Sequence, residues 1–383
     1  MKKILPLILA IILVFSMASC AENKNENAQS TKEEEALGNN VFTSQTGSFE
    51  YQLNAEGKCE IVNYTPASVT LVDLELPTTL DNRDVVGIAP DAFKAENSIK
   101  SVKIPEGYTY VGNYAFYDCD SLETVTFAGS NVTEIGKGAF EGCSSLTSIN
   151  LPSSVESVDN YAFKDCALLT SIDVSGAKFI GEGAFFGCSA LSSIVLCDEL
   201  ESISKTAFFR CDALAYTEEN GALYLGSASN KYLALISVSD LNLEACTVND
   251  ATKVIAIRAF ADCTLLESVT LGAAVTTVSA SCFENSDALE FNENENGYYL
   301  GTKENPYMVL MALIIPSVED FNLSTDTKII CDNAFENCVS LADIHFAGTT
   351  DEWNSIIKTE TWNFGRSVRV MFADETEEPI IYQ

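Results

Sequence analysis

The hydrophobic positions of this chain of 383 residues repeat with a period of about 23 residues. The clearest marker is a phenylalanine that returns every 22 to 24 residues, apart from two intervals of 52 residues. A branched aliphatic residue stands five positions before each phenylalanine, as Ile135 does before Phe140. Repetition on this scale is typical of stacked repeat architectures. The members of the series are Phe93, Phe116, Phe140, Phe163, Phe185, Phe208, Phe260, Phe283 and Phe335.

Each repeat also contains two apolar residues separated by a single position, such as Ile149 and Leu151. Alternation with a period of two predicts a short strand that buries one face. A glycine often follows the aliphatic residue that precedes the Ala-Phe pair, as Gly136 and Gly181 do, which indicates either unusual backbone dihedrals or a lack of space for a side chain. The apolar pairs are Val102/Ile104, Val125/Phe127, Ile149/Leu151, Ile172/Val174, Ile194/Leu196, Val269/Leu271 and Ile344/Phe346.

A repeat of about 23 residues with so few apolar side chains cannot enclose a core alone, so the repeats must stack. The predicted fold is therefore mainly β: a solenoid of coils with parallel strands, short Ala-Phe turns and phenylalanines stacked in the interior. Coils in such a stack repeat at about 4.8 Å.

The two long intervals each contain an insertion of about 29 residues. Residues 220–236 and 296–314 share Asn-Gly, Tyr-Leu-Gly and Asn-x-Tyr, with turn-forming residues between apolar runs. This pattern predicts a β-hairpin that elaborates one coil. Four tyrosines at paired positions either face a ligand or pack the hairpin against the solenoid. They are Tyr224, Tyr232, Tyr299 and Tyr307.

The N-terminus has the composition of an export signal. Two lysines precede an apolar run from Ile4 to Phe15, and small residues stand immediately before Cys20. We interpret residues 1–19 as a signal peptide. Small residues that end on a cysteine resemble a bacterial lipobox, which predicts lipid attachment at Cys20; a plain secretory signal is the alternative. Residues 20–40 are polar and free of aromatic side chains, which predicts an unfolded tether.

The chain is strongly acidic, with 22 Lys and Arg against 55 Asp and Glu. A surface of this charge repels phosphate backbones, so nucleic acid is not an expected partner.

The stretch "LTSINLPSSVESVDNYAFKDC" resembles the BspA-like leucine-rich repeat, a class of bacterial surface proteins whose coils end in Ala-Phe-x-x-Cys. The resemblance extends from about residue 41 to the C-terminus. It implies a leucine-rich-repeat solenoid with an N-terminal cap over residues 41–347. "FAGTTDEWNSI" is similar to the closing segment common in that family, so residues 348–383 are predicted to form a C-terminal cap. The sequence departs from the pattern at Glu96, Cys282 and Ser286, which replace the usual Cys, Ala and Cys.

Catalytic chemistry is poorly represented in the sequence. Its single histidine, His345, excludes sites that need two, and the motifs HExxH, CxxC and GxxxxGKS/T are absent. We therefore predict a protein that is not an enzyme and that has neither a cofactor nor a metal site.

Thirteen cysteines in an exported protein raise the question of disulfides. Seven of them share one repeat position, and parallel stacking directs their Cβ atoms the same way, which favours a column of buried thiols over disulfides. This cysteine column comprises Cys119, Cys143, Cys166, Cys188, Cys211, Cys263 and Cys338.

Two columns of residues beside the buried strand positions face outward. One is uniform and is interpreted as no more than a hydrogen-bonded structural ladder: Ser101, Thr124, Ser148, Ser171, Ser193, Ser268 and Asp343. The other varies between coils, which suits a ligand-binding surface but is also compatible with drift on a solvent-exposed face. This variable column, the candidate binding site, comprises Lys103, Thr126, Asn150, Asp173, Val195, Thr270 and His345.

The resemblance and the residues together predict a non-catalytic, lipid-anchored, cell-surface binding protein that resembles adhesins. Its expected partners are a host or bacterial surface protein or a polysaccharide, with the membrane contacted through the N-terminal lipid. The alternatives are a structural surface protein without a specific ligand and, less favoured by the residues, a glycan-processing enzyme with an unrecognised site.

Overall fold

A computed structural model describes residues 41–67, 70–332, 334–358, 362–363, 366–373 and 379–382. The predicted signal peptide and tether, with Cys20, lie outside the described residues. The chain divides into two compact units. Among the described residues, unit 1 extends as far as Ala215 and includes Gly226–Ser229, and unit 2 comprises Tyr216–Leu225 and the residues from Asn230 onward.

Each regular coil contains a first strand, which carries the alternating apolar pair, and a second strand, which carries the aliphatic residue before the Ala-Phe turn. In unit 1 the first strands pair in parallel with the repeat in register, so that Val102 lies opposite Val125 and Val125 opposite Ile149. The burial pattern of Ser171–Val174 alternates between exposed and buried, as the sequence predicts. The first strands of unit 1 are Val72–Glu75, Ile99–Ile104, Thr124–Phe127, Ser148–Asn150, Ser171–Val174 and Ser193–Leu196.

The second strands of unit 1 form a parallel ladder of their own. They are Arg83–Ile88, Tyr110–Val111, Glu134–Ile135, Ser157–Val158, Phe179–Ile180 and Ser202–Ile203. At the N-terminal end, Cys59–Tyr64 pairs in parallel with Arg83–Ile88, and the ladder is closed by antiparallel strands. These closing strands are Phe42–Thr43 and Phe49–Leu53, while Thr79–Leu80 pairs with Arg83–Ile88.

The repeated phenylalanines of unit 1 stack face to face in its interior. Phe140 and Phe163 have ring centroids 5.3 Å apart, and Phe163 and Phe185 have centroids 5.5 Å apart with an interplanar angle of 2°. The same stacking joins Phe93 to Phe116 at 4.8 Å. Each coil therefore presents its phenylalanine to the next one, and the predicted interior column is confirmed in this unit.

Around six of the phenylalanines, those from Phe93 to Phe185 and Phe260, the turn is left-handed at two positions, two residues before and two residues after the ring. Around Phe163 these are Tyr161 (φ 60°) and Asp165 (φ 59°), and around Phe140 both are glycines. The glycine that follows the aliphatic residue has a different role. A Cβ at Gly136 would lie 2.9 Å from the Asn113 backbone nitrogen of the preceding coil, and Gly136 does not have a positive φ. Close stacking, and not an unusual dihedral, therefore excludes a side chain there.

The cysteine column hydrogen-bonds one coil to the previous one. The Cys166 thiol donates to the Phe140 carbonyl at 3.2 Å, and the Cys188 thiol donates to the Phe163 carbonyl at 3.0 Å. Where serine replaces cysteine, the Ser286 hydroxyl makes the equivalent bond to the Phe260 carbonyl at 2.7 Å. A serine hydroxyl can therefore replace the cysteine thiol as the donor to the previous coil.

The described part of the chain contains twelve cysteines, and all of them are buried thiols that form no disulfide there. Burial raises the pKa of the Cys188 thiol well above its ordinary value and that of Cys211 to about 12. Because the thiolate is the reactive form, these side chains should be inert at neutral pH in the folded protein.

We expect a thiol-specific reagent, used without reductant, to label these twelve cysteines only after the chain is unfolded in denaturant. Buried thiols with a raised pKa are protected from the reagent until unfolding exposes them. The measurement is a thiol count on the native and the denatured protein. A denatured count that leaves any of the seven column cysteines unlabelled would show an oxidised member and would contradict the stacked-thiol arrangement.

Unit 2 begins with the first insertion, which forms an antiparallel sheet of three strands. Its last strand pairs in parallel with the second strand of the following coil. The second insertion repeats this arrangement. The predicted hairpins are therefore present, each with a third strand that joins it to the coils. The strands of the insertions are Thr217–Glu219, Ala222–Leu225, Ala234–Val238, Asn292–Asn294, Gly297–Leu300 and Val309–Leu313.

The shared Asn-Gly motif does not occupy the same position in the two hairpins. Asn220 and Gly221 form the two-residue turn of the first hairpin, whereas Gly297 already belongs to a strand of the second, whose turn is Glu295 and Asn296. The strands therefore align the two insertions with a constant offset of 75 residues. The same offset separates the phenylalanines before them, Phe208 and Phe283, and those after them, Phe260 and Phe335.

The regular strands of unit 2 follow the pattern of unit 1. First strands are Ala245–Thr247, Ser268–Thr270, Asp320–Leu323 and Asp343–Phe346, and second strands are Val254–Ile255 and Ile329–Ile330. Val368–Phe372 pairs in parallel with Asp343–Phe346, the last of these first strands. Ile380–Tyr382 then pairs with Val368–Phe372 in antiparallel orientation and closes the sheet. Two short 3₁₀ turns, Lys205–Phe208 in unit 1 and Ala280–Phe283 in unit 2, replace the usual Ala-Phe turn.

One short helix, Thr350–Ser355, lies in the segment predicted to close the solenoid. It begins with a capping box, in which Thr349 and Glu352 satisfy each other's backbone amides. Trp353 from this helix is fully buried and contacts Phe346 and Trp362 with edge-on ring geometry. The helix therefore places a large aromatic side chain over the end of the stack, where a solenoid needs a cap.

Candidate functional site

The variable column predicted from the sequence is divided between the two units. Five of its members lie in unit 1, and Thr270 and His345 lie in unit 2. In unit 1, Lys103, Thr126 and Asn150 occupy opposite positions on three adjacent parallel strands, and all three are exposed. Asp173 and Val195 are opposite each other on the next two strands.

Several members of the unit 1 row have local partners. The Lys103 ammonium contacts the Glu75 carboxylate at 2.7 Å, and both side chains are more than half exposed. An exposed ion pair of this kind contributes little to stability, so either charge can exchange its partner for a ligand. The Asp173 carboxylate accepts a hydrogen bond from the Ser175 backbone amide at 2.9 Å, and its outer oxygens stay accessible.

A small recess adjoins this row. A recess of about 90 Å³ beside Asp173 is lined by Pro152, Ser153 and Gly176 among others, and it is smaller than ordinary small-molecule pockets of about 300–1,000 Å³. The row in unit 1 therefore suits an extended partner that lies across several strands, and not an enclosed small molecule.

The uniform column beside this row does not form a ladder. Ser148, Ser171 and Ser193 are exposed, and their hydroxyls make no hydrogen bond to any residue that the structure describes. At the end of the column, Ser101 donates to the Asp73 carboxylate at 2.6 Å. The predicted ladder is therefore not formed at these three positions, and their hydroxyls widen the accessible face beside the variable column.

The two members in unit 2 are not neighbours. Thr270 is opposite Thr247 and forms a single bridge to Gly301, whereas His345 lies between Asn322 and Met371 on a separate sheet. The second insertion separates the two strands that carry them. A single continuous row of seven residues, as the repeat alone suggests, is therefore interrupted in unit 2.

His345 lies at an open cleft of about 440 Å³. The imidazole Nε2 is 3.2 Å from the Asp320 carboxylate, which holds the ring in place. Nearby, the Arg369 guanidinium donates two hydrogen bonds of 2.6 Å to the carboxylate of Asp343, which lies opposite it on the strand that carries His345. We call this the C-terminal cleft, and its lining residues are Asn294, Glu295, Asn322, Leu323, Ser324, Thr325, His345, Phe346, Ala347, Met371, Phe372 and Ala373.

The tyrosines of the insertions pack inside the hairpins. Tyr224 and Tyr299 are fully buried, and each meets its partner, Tyr232 or Tyr307, with edge-on geometry at centroid distances of 5.3 and 5.6 Å. Burial raises the pKa of both Tyr224 and Tyr299 to about 12. Packing, and not ligand contact, therefore explains the buried member of each pair.

Within the described ranges, no group of three or more His, Cys, Asp or Glu side chains is placed to hold a metal ion. The helices of that part of the chain are too short to cross a membrane.

Comparison with known protein families identifies the repeat. The family described as BspA type Leucine rich repeat region matches in 6 copies, over residues 86–215, 234–303 and 314–360. These segments make up more than half of the chain. No curated protein matches it.

Solved structures of bacterial leucine-rich repeat proteins are similar to this chain. A leucine rich cell surface protein from Faecalibacterium prausnitzii is 23% identical over 84% of this chain and 98% of its own, with a TM-score of 0.43. A leucine-rich repeat protein from Bacteroides ovatus is 20% identical over 85% of this chain and 98% of its own, with a TM-score of 0.38.

Proposed function

Since this chain belongs to the family of BspA-type leucine-rich repeat proteins, we propose that it is an exported, lipid-anchored binding protein of the bacterial cell surface. It acts without catalysis and holds a partner on the exposed face of its first strands. That partner is a surface protein or a polysaccharide of a host or of another bacterium. The N-terminal lipid at Cys20 keeps the protein on the membrane, and residues 20–40 separate the repeats from it.

The observation that carries the proposal is the alignment of polar side chains on the first strands of unit 1. Lys103, Thr126 and Asn150 project from adjacent strands whose positions are fixed by the parallel ladder. Adjacent strands are about 4.8 Å apart, so the side chains form a regular polar row. A rigid row loses little conformational entropy when a partner binds, which favours affinity.

A structural surface protein without a ligand is the alternative, and a binding screen separates the two. We expect the full chain to bind at least one component of an array of mucosal proteins, bacterial surface proteins and polysaccharides. Cationic partners should bind more weakly as salt rises, because the acidic surface attracts them through screened charges. Absence of binding across such an array would favour the structural role.

Alanine at both Asn150 and Asp173 should weaken binding of the partner about tenfold, since two polar contacts at the centre of the row are lost. The measurement is a titration of the partner found by the array. The control changes Asn131 and Glu134, an exposed amide and an exposed carboxylate on the second-strand side of the same unit, to alanine. A loss confined to the control would place the binding surface on the second strands.

Cys20 should carry a lipid in the protein purified from its own membrane. The small residues before Cys20 and the polar segment after it are the basis for this expectation. Mass spectrometry of the mature N-terminus measures it directly. An unmodified Cys20, or cleavage at another residue, would show that the signal is a plain secretory one.

A further inference from the structure

The two insertions of unit 2 are built alike but differ at one contact. In the first, the Asn249 side-chain amide donates to the Glu219 carboxylate at 2.5 Å and so joins the hairpin to the adjoining turn. The positions 75 residues later hold Ser324 and Asn294. Ser324 keeps the local role of Asn249 within the turn. The Asn249 side chain accepts a hydrogen bond from the Ala251 backbone amide, and the Ser324 hydroxyl accepts one from the Asp326 backbone amide.

The second insertion lacks this side-chain contact, although the Asn305 amide still donates to the Asp326 carbonyl at 2.7 Å and joins its hairpin to the turn. Serine is too short to reach across, and the Asn294 side chain makes no hydrogen bond within the described part of the chain. Both residues line the C-terminal cleft. The cleft therefore lies at the position that corresponds to the Asn249–Glu219 hydrogen bond of the first insertion, and neither replacement side chain bridges it.

The floor and wall of the C-terminal cleft have a mixed chemistry. Asn322, His345 and Met371 lie opposite one another on three parallel strands and form the floor. Asn294 faces this floor from the hairpin. The side chains of Asn294, Asn322 and Thr325 have no hydrogen-bond partner among the residues described. Half-buried Met371 and Phe372 add an apolar surface beside these amides and hydroxyls.

This lining matches the two kinds of surface on a sugar ring. Vicinal hydroxyls need side chains that both donate and accept, which amides, hydroxyls and imidazole provide. The C–H face of the ring needs an apolar contact, which Met371 and Phe372 provide. The volume of about 440 Å³ is within the usual range of small-molecule sites.

The charge of the lining selects among sugars. Among the described lining residues there is no lysine or arginine, whereas the Glu295 carboxylate lines the cleft and the Asp320 carboxylate contacts His345 at 3.2 Å. An anionic sugar would therefore meet repulsion without a compensating cation. We propose that the C-terminal cleft binds a neutral pyranose unit of a polysaccharide. The proposal rests on the binding function above and assigns one class of ligand to one part of the first-strand face.

The test is a titration of the full chain with the methyl glycosides of glucose, galactose, mannose and N-acetylglucosamine, followed by ligand-observed NMR. A single sugar unit in an open cleft should bind in the millimolar range. N-acetylneuraminic acid serves as the anionic comparison and should not bind. If none of the neutral glycosides binds, or if only the anionic sugar does, the proposal is wrong.

Three double variants locate the site. Asn322→Ala with His345→Ala removes part of the floor and should weaken binding at least about tenfold. Asn131→Ala with Glu134→Ala removes an exposed amide and an exposed carboxylate on the second-strand side of unit 1, outside the cleft, and should leave sugar binding unchanged. Asn294→Glu with Ser324→Asn rebuilds the joining contact and should abolish binding while keeping the floor intact. Circular dichroism verifies that each variant is folded.

Sugar binding that survives both the floor variant and the closing variant would place the sugar elsewhere and overturn the assignment. The results also distinguish failure of the cleft proposal from failure of the proposed binding function. If a protein partner from the array binds and responds to Asn150 and Asp173 while no neutral glycoside binds, the cleft proposal fails alone. If neither the array nor the glycosides show binding, both proposals fail.

Discussion

Replacing Phe163 with alanine should lower the free energy of unfolding of unit 1 by about 3–5 kcal/mol. The ring is fully buried and stacks on Phe140 at 5.3 Å and on Phe185 at 5.5 Å. Its removal loses the transfer free energy of the ring, leaves a cavity, and takes one stacking partner from each neighbour. Because every coil contacts only the adjacent ones, the loss cannot be compensated elsewhere in the unit.

Denaturant unfolding, combined with native-state hydrogen exchange of the unit 1 strands, measures this effect. The matched control is Phe179→Ala, since Phe179 is in the same unit and its side chain is 45% exposed. That change should alter stability by about 0.5 kcal/mol or less. If Phe163→Ala unfolds together with the wild type, Phe163 is not an interior anchor.

Trp353→Ala should destabilise unit 2 by about 3–5 kcal/mol. Trp353 is fully buried, and its indole N–H donates to the Tyr382 hydroxyl at 2.9 Å. It also packs edge-on against Phe346 at 5.8 Å and Trp362 at 5.7 Å. Loss of the indole would leave an open space between the strand Asp343–Phe346 and the C-terminal segment that contains Trp362 and Tyr382.

The effect is measured by thermal unfolding and by hydrogen exchange in the strands Asp343–Phe346 and Val368–Phe372. Trp353→Phe keeps an aromatic ring but loses the hydrogen bond to Tyr382, so it should have an intermediate effect. Ile381→Ala is the control, because Ile381 lies in the same segment and is 59% exposed. Equal stability of Trp353→Ala and the control would show that this segment does not cap the stack.

The repeated fold is readable in the sequence because each coil solves the same packing problem. Phenylalanine, aliphatic and cysteine positions recur together, and each has one role in the structure: stacking, strand burial and a hydrogen bond to the previous coil. The reason for Gly136 was not decided by the sequence, which allowed either dihedral or steric causes. Only the distance of 2.9 Å to the Asn113 nitrogen separates the two.

The candidate site was less accessible to sequence reasoning. The period places Thr270 and His345 in one column, but it cannot show that the second insertion interrupts that column. Asn322 and Met371 were missed although their strands alternate apolar residues, because Asn322 falls within a 52-residue interval and Met371 follows the last repeated phenylalanine. A signal for the C-terminal cleft was present in the replacement of Glu219 and Asn249 by Asn294 and Ser324, yet its meaning depends on the contact that the first pair makes.

Hydrogen exchange of the full chain, with and without a partner found by the array, tests most directly whether partners bind on the first strands. We expect added protection in Thr124–Phe127, Ser148–Asn150 and Ser171–Val174, or in Asp320–Leu323 and Asp343–Phe346 when the partner is a neutral polysaccharide. The second strands, such as Glu134–Ile135 and Ser157–Val158, should exchange as in the free protein. Protection confined to these second strands would contradict binding on the first-strand face.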